Sequence, residues 1–362
     1  MNIMRVFRAA DFLVRRFPEP FSRSIFEGIG IVAGFSNLKG VAQLRKNYQR
    51  LVPLPTKFAQ RRRSSRAMRS YMRYYHEALL LPYLQPEQIL ARVSVENLAQ
   101  LREVLAENSC SGALFHLGNW DLAGAWANIA LAPVHTIAEK LQPPELAESF
   151  LNFRQSLGMT IYPAIKGGNA TGKLAADMRA QRCFTPLLCD RDLSARGVEV
   201  ELGGYPIRVA PGAAILAIRT NTPMFPVFIF SENFAADKKR RKQAGSKWGI
   251  HIQVGEPIYP PQHISEGKIP ENLLVEMNQA WMIQAVPALT AHLEDWHMLQ
   301  KLFVADLDME RLRRAKERAQ LEAKAQVEEG EQTPIEGGEQ APTASAKIVS
   351  AADKKDKKQG IQ

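Results

Sequence analysis

Residues 111–121 read Ser111-Gly112-Ala113-Leu114-Phe115-His116-Leu117-Gly118-Asn119-Trp120-Asp121. The apolar run 111–115 has the length and composition of a buried strand, and it ends on a histidine. Gly118 permits a tight turn, after which 121–130 reads as a helix with Asn119 or Asp121 near its cap. This order places His116 at the carboxyl end of a sheet strand, where open α/β sheets carry their sites. Asp121 falls in the first helical turn, and the turn can fold it back to within hydrogen-bond reach of the imidazole. A carboxylate on one ring nitrogen fixes the tautomer and leaves the other as a general base. Such a base suits the deprotonation of a hydroxyl as it attacks an activated acyl group.

The alternation continues outward. Short apolar runs at 134–138, 160–162, 184–188, 224–230 and 250–254 read as strands, and 198–209 as a hairpin turning at Gly203-Gly204. Helical stretches lie near 144–157, 170–180 and 212–219, with a long helix over 272–285 and an amphipathic segment through 296–302. The fold class expected is α/β: a central, mostly parallel or mixed sheet flanked by helices, with basic amphipathic helices at the N-terminus. The core spans 86–309, a charged helix-prone segment 310–329, and a disordered tail 330–362, whose Glu/Gln/Pro/Lys-rich composition buries too little to order itself.

Charge separates the first fifth from the rest. Residues 1–75 hold sixteen Lys and Arg against Asp11, Glu19 and Glu27, a net +13, whereas the remainder holds 31 basic and 34 acidic groups, a net −3. One face of residues 1–85 is therefore expected to dock on anionic membrane lipids, with Arg61, Arg62, Arg63, Arg66 and Arg69 at its centre. A helix packed on its own core fits the same periodicity. No recognisable nucleic-acid motif accompanies the arginines, so no nucleic-acid partner is expected.

Three cysteines without a CxxC pair, no run approaching eighteen apolar residues and no signal-peptide pattern point to a reducing, cytoplasmic setting without a spanning helix. His76, His251, His292 and His297 have no metal-ligand spacing, so neither a metal nor a cofactor is expected. The segment 166–173 misses the phosphate-loop frame and reads as a loop feeding a helix.

The HLGNWD segment resembles the HxxxxD signature of glycerolipid acyltransferases, and in particular the branch that contains lipid A late acyltransferases and phosphatidylinositol mannoside acyltransferases. Further blocks follow that branch in order: 135–141, Pro144-Glu145-Leu146, 153–159, Asp190-Arg191-Asp192-Leu193, Gly197-Val198-Glu199-Val200-Glu201, 212–214 and 217–220. Arg191 between the aspartates, Asp121 in place of the commoner Glu, and the closing Asp295-Trp296-His297-Met298-Leu299-Gln300 bring it nearer the mannoside-acylating members. The aromatic FFG usual in the family is here Leu202-Gly203-Gly204, which puts the acyl-chain fit in question.

The resemblance implies transfer of a long acyl chain from acyl-CoA, a co-substrate rather than a cofactor, to a mannose hydroxyl of a phosphatidylinositol mannoside. The enzyme would sit peripherally on the cytoplasmic face of the plasma membrane. His116 would be the base and Asp121 its orienting partner, with Glu139, Arg154, Arg191, Asp192 and Glu199 around acceptor and donor. From chemistry alone, Arg154 can clamp a phosphate bidentately, and Glu139, ending a strand, can accept sugar hydroxyls. Two alternatives stand beside this reading. One is an enzyme acting on lipid A or another glycolipid with acyl carrier protein as donor; the other is a non-catalytic anionic-lipid-binding protein.

Overall fold

A computed structural model of the chain describes residues 3–139, 144–164, 168–192, 194, 196–262, 267–314, 317, 318 and 321. Residues 1–316 form one compact unit and 317–362 a second, in which Glu317, Arg318 and Leu321 are helical. The tail expected to be disordered lies outside the described residues.

The first unit opens with helices α1 (Ile3–Arg16), α2 (Glu19–Phe35), α3 (Lys39–Leu51) and α4 (Lys57–Leu80). Then come α5 (Pro86–Ala91), β1 (Val93–Glu96), α6 (Ala99–Glu107), β2 (Cys110–Leu114), α7 (Trp120–Ala130), β3 (His135–Glu139) and α8 (Pro144–Ser156). They are followed by β4 (Thr160–Ala164), α9 (Ala170–Ala180), β5 (Phe184–Leu188), the hairpin β6 (Val198–Leu202) and β7 (Tyr205–Val209), and α10 (Gly212–Thr220). Next come β8 (Met224–Asn233), α11 (Lys238–Ala244), β9 (Trp248–Val254) and α12 (Glu271–Ala291), followed by 3₁₀ turns at Leu293–Asp295 and Val304–Asp306.

Five strands form a mixed sheet in the order β1-β9-β8-β2-β5, in which β8 and β9 alone run antiparallel. The parallel pair β3-β4 joins its β5 edge through a bridge between Val134 and Phe184 and a 2.6 Å hydrogen bond from the Thr136 hydroxyl to the Pro186 carbonyl. Each strand expected in the core is present. The edge strand β1 was not legible, because its four residues (VSVE) are only half-buried and form no apolar run.

Alternation along the strands sorts the core onto two faces. Ala113, Phe115 and Phe228 point toward α10, α12 and α3, where Trp281, Met282, Leu44 and Tyr48 are buried. Leu114, Val227 and Ile229 point the other way, toward Leu122 and Trp126 of α7 and Leu101 of α6. Helices α2 and α4 touch backbone to backbone. A Cβ on Gly34 would lie 2.2 Å from Ser65 Cα, and one on Gly30 would lie 2.4 Å from the Met68 carbonyl oxygen.

Of the five arginines expected at the centre of a basic docking face, one is turned inward and two are tied up in ion pairs. Arg63 is buried, donating to the Val52 carbonyl at 2.6 Å and to Gln49 at 2.9 Å. Arg66 pairs with Glu294 and Arg69 with Glu27, while Arg61 and Arg62 stay exposed. The cause is that α4 packs Ser64, Ala67, Ser70 and Tyr74 into the protein, so arginines flanking that stripe are drawn to acceptors there. The N-terminal helices also expose apolar side chains, Phe12, Phe21, Ile29, Val32 and Phe58, with Val32 73% and Phe58 70% exposed. Exposed Arg5, Arg8, Arg15 and Arg16 accompany them on α1. Among the described residues no single helix is long and apolar enough to cross a membrane; α2 and α3 pass that test only together, and they bend by 75°.

Candidate active site

Leu114 of β2 pairs in parallel register with Leu188 of β5. Two residues beyond each, at the carboxyl edge of the sheet, stand His116 and Asp190. The imidazole Nδ1 lies 2.6 Å from Asp190 Oδ1, and the His116 backbone N–H donates to Asp190 Oδ2 at 3.0 Å. The Trp296 indole N–H donates to the same Oδ2, also at 3.0 Å. Asp190 is fully buried, which opposes its charge, but the neighbouring His116 and these hydrogen bonds outweigh burial and hold its carboxyl below the usual range. The His116 side chain remains 37% exposed.

The expectation that Asp121 orients His116 through a ring nitrogen is corrected here: the carboxylate on Nδ1 belongs to Asp190. Asn119 caps α7, its side chain accepting from Leu122 N–H at 3.0 Å, so Asp121 stands in the first turn with its side chain buried against neighbouring helices. Asp121 Oδ1 accepts from Arg154 Nε of α8 at 2.7 Å, and Oδ2 from the Tyr74 hydroxyl of α4 at 2.9 Å. The Asp121 charge raises the pKa of Arg154 above its ordinary value despite burial. Arg154 is thus joined to the start of α7 through Asp121.

A second segment clamps the His116 turn. Leu117 bridges to Trp296, Gly118 N–H donates to the Asp295 carbonyl at 2.9 Å, and His297 N–H donates to the His116 carbonyl at 2.8 Å. Gly118 has φ +62°, and a Cβ there would meet the Ile229 carbonyl oxygen at 2.4 Å, so the turn requires glycine. Asp295 is itself held by Ser70 and by the backbone and hydroxyl of Ser231. The closing block thereby acquires a physical role that its sequence did not reveal. Asp190 was also missed as a partner, although it sits in a quoted block. Its signal was register, since it follows a strand that runs beside β2.

Trp120 stands edge-on to His116 with ring centroids 5.4 Å apart. Its buried Nε1 has no hydrogen-bond partner among the described residues. The same indole borders a small apolar cavity of about 40 Å³ between α7 and the sheet. Leu114, Ala123, Ala127, Phe184 and Val227 line it.

The remaining expected residues are more dispersed. Arg191 and Asp192 follow Asp190 directly; Arg191 Nε donates to the Lys301 carbonyl at 3.3 Å, and Asp192 Oδ1 accepts from Ser194 N–H at 2.6 Å. Glu199 lies on the exposed side of the hairpin, opposite Arg208 in register. Glu139 ends β3, and its side chain lies outside the described residues.

Two buried imidazoles make the surroundings acid-sensitive. Burial lowers His76 from 6.5 to about 4 and His297 from 6.5 to about 3. Their neutral forms therefore contribute stability that is complete above the unfolded value of 6.5 and is lost as pH falls toward those folded values. Below pH 6.5 each ring is expected to remove about 1.4 kcal/mol of stability per pH unit, to be measured by urea unfolding between pH 7 and 4.

A histidine–aspartate pair at the carboxyl edge of an α/β sheet, beside an apolar cavity, has the geometry of a general base that can deprotonate a hydroxyl. The chain matches the family of bacterial lipid A biosynthesis acyltransferases over residues 6–304, and it belongs to that family. It is an O-acyltransferase whose family implies a glycolipid acceptor and an acyl donor. It is 31% identical over 300 residues to the phosphatidylinositol mannoside acyltransferase of Mycolicibacterium smegmatis, covering 83% of this chain and 90% of that one. To the protein of the same name from Mycobacterium tuberculosis it is 29% identical over 308 residues, covering 84% and 90%. The crystal structure of the 1-acyl-sn-glycerophosphate acyltransferase of Thermotoga maritima is similar at 11% identity and a TM-score of 0.31, covering 68% of this chain and 87% of that one.

Proposed function

We propose that this chain moves a long acyl group from acyl-CoA to a mannose hydroxyl of a phosphatidylinositol mannoside, with His116 as general base held by Asp190. The observation that carries the reading is the His116–Asp190 pair beside the apolar cavity under α7. With Asp190 on Nδ1, Nε2 takes the hydroxyl proton as the alkoxide attacks the thioester carbonyl, and returns it to the departing thiolate. The acyl chain enters along the apolar lining of this cavity, which must widen to take a long chain; that brings the carbonyl near the Trp120 indole, whose N–H is a candidate donor to the oxyanion. Arg154 and Asp121, next to the site, shape the acceptor side together with Arg191, Asp192 and Glu139. Glu199, on the hairpin's exposed side, fits a substrate-contact role least well. Acyl-CoA is consumed as a co-substrate, and the reaction as read needs no cofactor.

The test is transfer by purified protein from labelled acyl-CoA to a phosphatidylinositol mannoside, with acyl carrier protein thioester and lipid A precursor as competitors. Preference for the competing donor or acceptor would replace the substrate assignment. Absence of transfer with either set would favour a lipid-binding protein.

The enzyme also docks peripherally on the cytoplasmic face of the plasma membrane in this reading, and it does so mainly through apolar side chains of α1 and α2. Serine at Phe12, Phe21 and Val32 together is expected to lower binding to anionic vesicles more than tenfold, since each exposed ring or branched chain contributes on the order of 1 kcal/mol or more on insertion. Glutamine at Arg61 and Arg62 should have a smaller, salt-dependent effect of about 1 kcal/mol per charge. Cosedimentation measures both, and an unchanged bound fraction in the triple variant would contradict this docking face.

A further inference from the structure

A second cavity, of about 970 Å³ including space open to solvent, lies at the carboxyl end of β8. The segment from Leu293 to His297 joins it to the active site: residues 293–295 stand in its wall, while Trp296 and His297 contact Asp190 and His116. Arg63, Arg66, Arg69 and Arg73 recur every three or four residues along α4 and therefore share one face, and all four line this space. Hydroxyls of Ser70, Ser231 and Thr290 and the ring of Trp248 complete much of the wall.

We infer that this cavity binds a phosphate ester. Four guanidinium groups meet three carboxylates: Glu294 pairs with Arg66, Glu27 with Arg69 and Arg73, and Asp295, which already accepts from Ser70 and Ser231, lies 3.9 Å from Arg73, so one positive charge is left in excess. Arg63 is fixed by Val52 and Gln49, and Arg73 lies 3.9 Å from the Trp248 ring centre, so the inner part of the basic wall is rigid. Arg66 and Arg69 are about half exposed at the rim, in ion pairs with Glu294 and Glu27. Each guanidinium carries five N–H groups, so these pairs leave donors that can turn to a ligand. A single carboxylate ligand would occupy one such fork; several convergent forks suit the multiple oxygens of a phosphate group.

Two sources supply that chemistry, a phospholipid headgroup and the nucleotide half of coenzyme A. Naming these two rests on the acyl-transfer reading, whereas the site itself rests on the wall.

Titration calorimetry on the full chain with inorganic phosphate, coenzyme A and glycerophosphoinositol tests the inference. At least one probe is expected to bind, with R66Q/R69Q weakening it roughly tenfold or more, the loss of bidentate contacts. E294Q should tighten the same probe roughly threefold or more, because it removes a repelling carboxylate and releases Arg66. A purely structural Arg66–Glu294 pair would not give these opposite signs. Tighter coenzyme A assigns the cavity to the donor, tighter glycerophosphoinositol to a lipid headgroup, and equal binding of all three to phosphate alone; each supports the site. The inference is overturned if no probe binds the wild-type protein, or if the folded R66Q/R69Q and E294Q variants both bind like wild type. Acyl transfer, measured separately, decides the activity whichever way this binding falls.

Discussion

Asparagine in place of Asp190 is expected to lower the turnover number of acyl transfer by roughly 10²–10⁴-fold, with little change in KM. The substitution keeps the volume, and the amide oxygen can still accept from the Trp296 indole or the His116 backbone. It replaces the charged acceptor 2.6 Å from Nδ1, however, with a group that no longer enforces one tautomer or stabilises the imidazolium. The loss should therefore fall on the chemical step. Because the pairing with His116 and Trp296 outweighs burial at Asp190, removing the charge also costs some stability, and circular dichroism on the same preparation separates that loss from the loss of turnover. Near wild-type turnover in D190N would remove Asp190 from the proton-transfer pair.

Alanine at Asp121 should act chiefly on stability. It strips the acceptor from both the Arg154 guanidinium and the Tyr74 hydroxyl, leaving a largely buried cation without that partner at the junction of α4, α7 and α8. Breaking a buried pair from one side costs about 3–5 kcal/mol. Urea unfolding of D121A measures the loss, and wild-type stability with abolished turnover would return Asp121 to the orienting role that its position in the HxxxxD segment suggests. The two aspartates are thus separable by experiment.

The strand–turn–helix around His116 was legible because it is local: an apolar run, a glycine that must take positive φ, and a cap residue lie within eleven residues. Asp121 was legible as important but misassigned. Five residues of sequence place it near His116, whereas its rotamer is decided by Tyr74 and Arg154, which arrive from distant helices. Asp190 depends on the pairing of β2 with β5 across more than seventy residues, and no local pattern encodes that register. The arginines of α4 show the same limit in reverse. Their charge is plain in the composition, but which of them face water depends on how α4 packs against α2 and the 293–297 segment. The apolar surface of α1 and α2 was legible only as hydrophobicity, since periodicity does not distinguish a face buried in protein from one left exposed.

The central claim is that His116, held by Asp190, is the base of an acyl-transfer reaction. The most direct measurement is the turnover number of His116→Ala with saturating acyl-CoA and glycolipid acceptor, beside a melting curve on the same preparation. A folded variant whose turnover has fallen by roughly 10²–10⁴-fold is the predicted result. A folded variant that transfers acyl groups at the wild-type rate would contradict it.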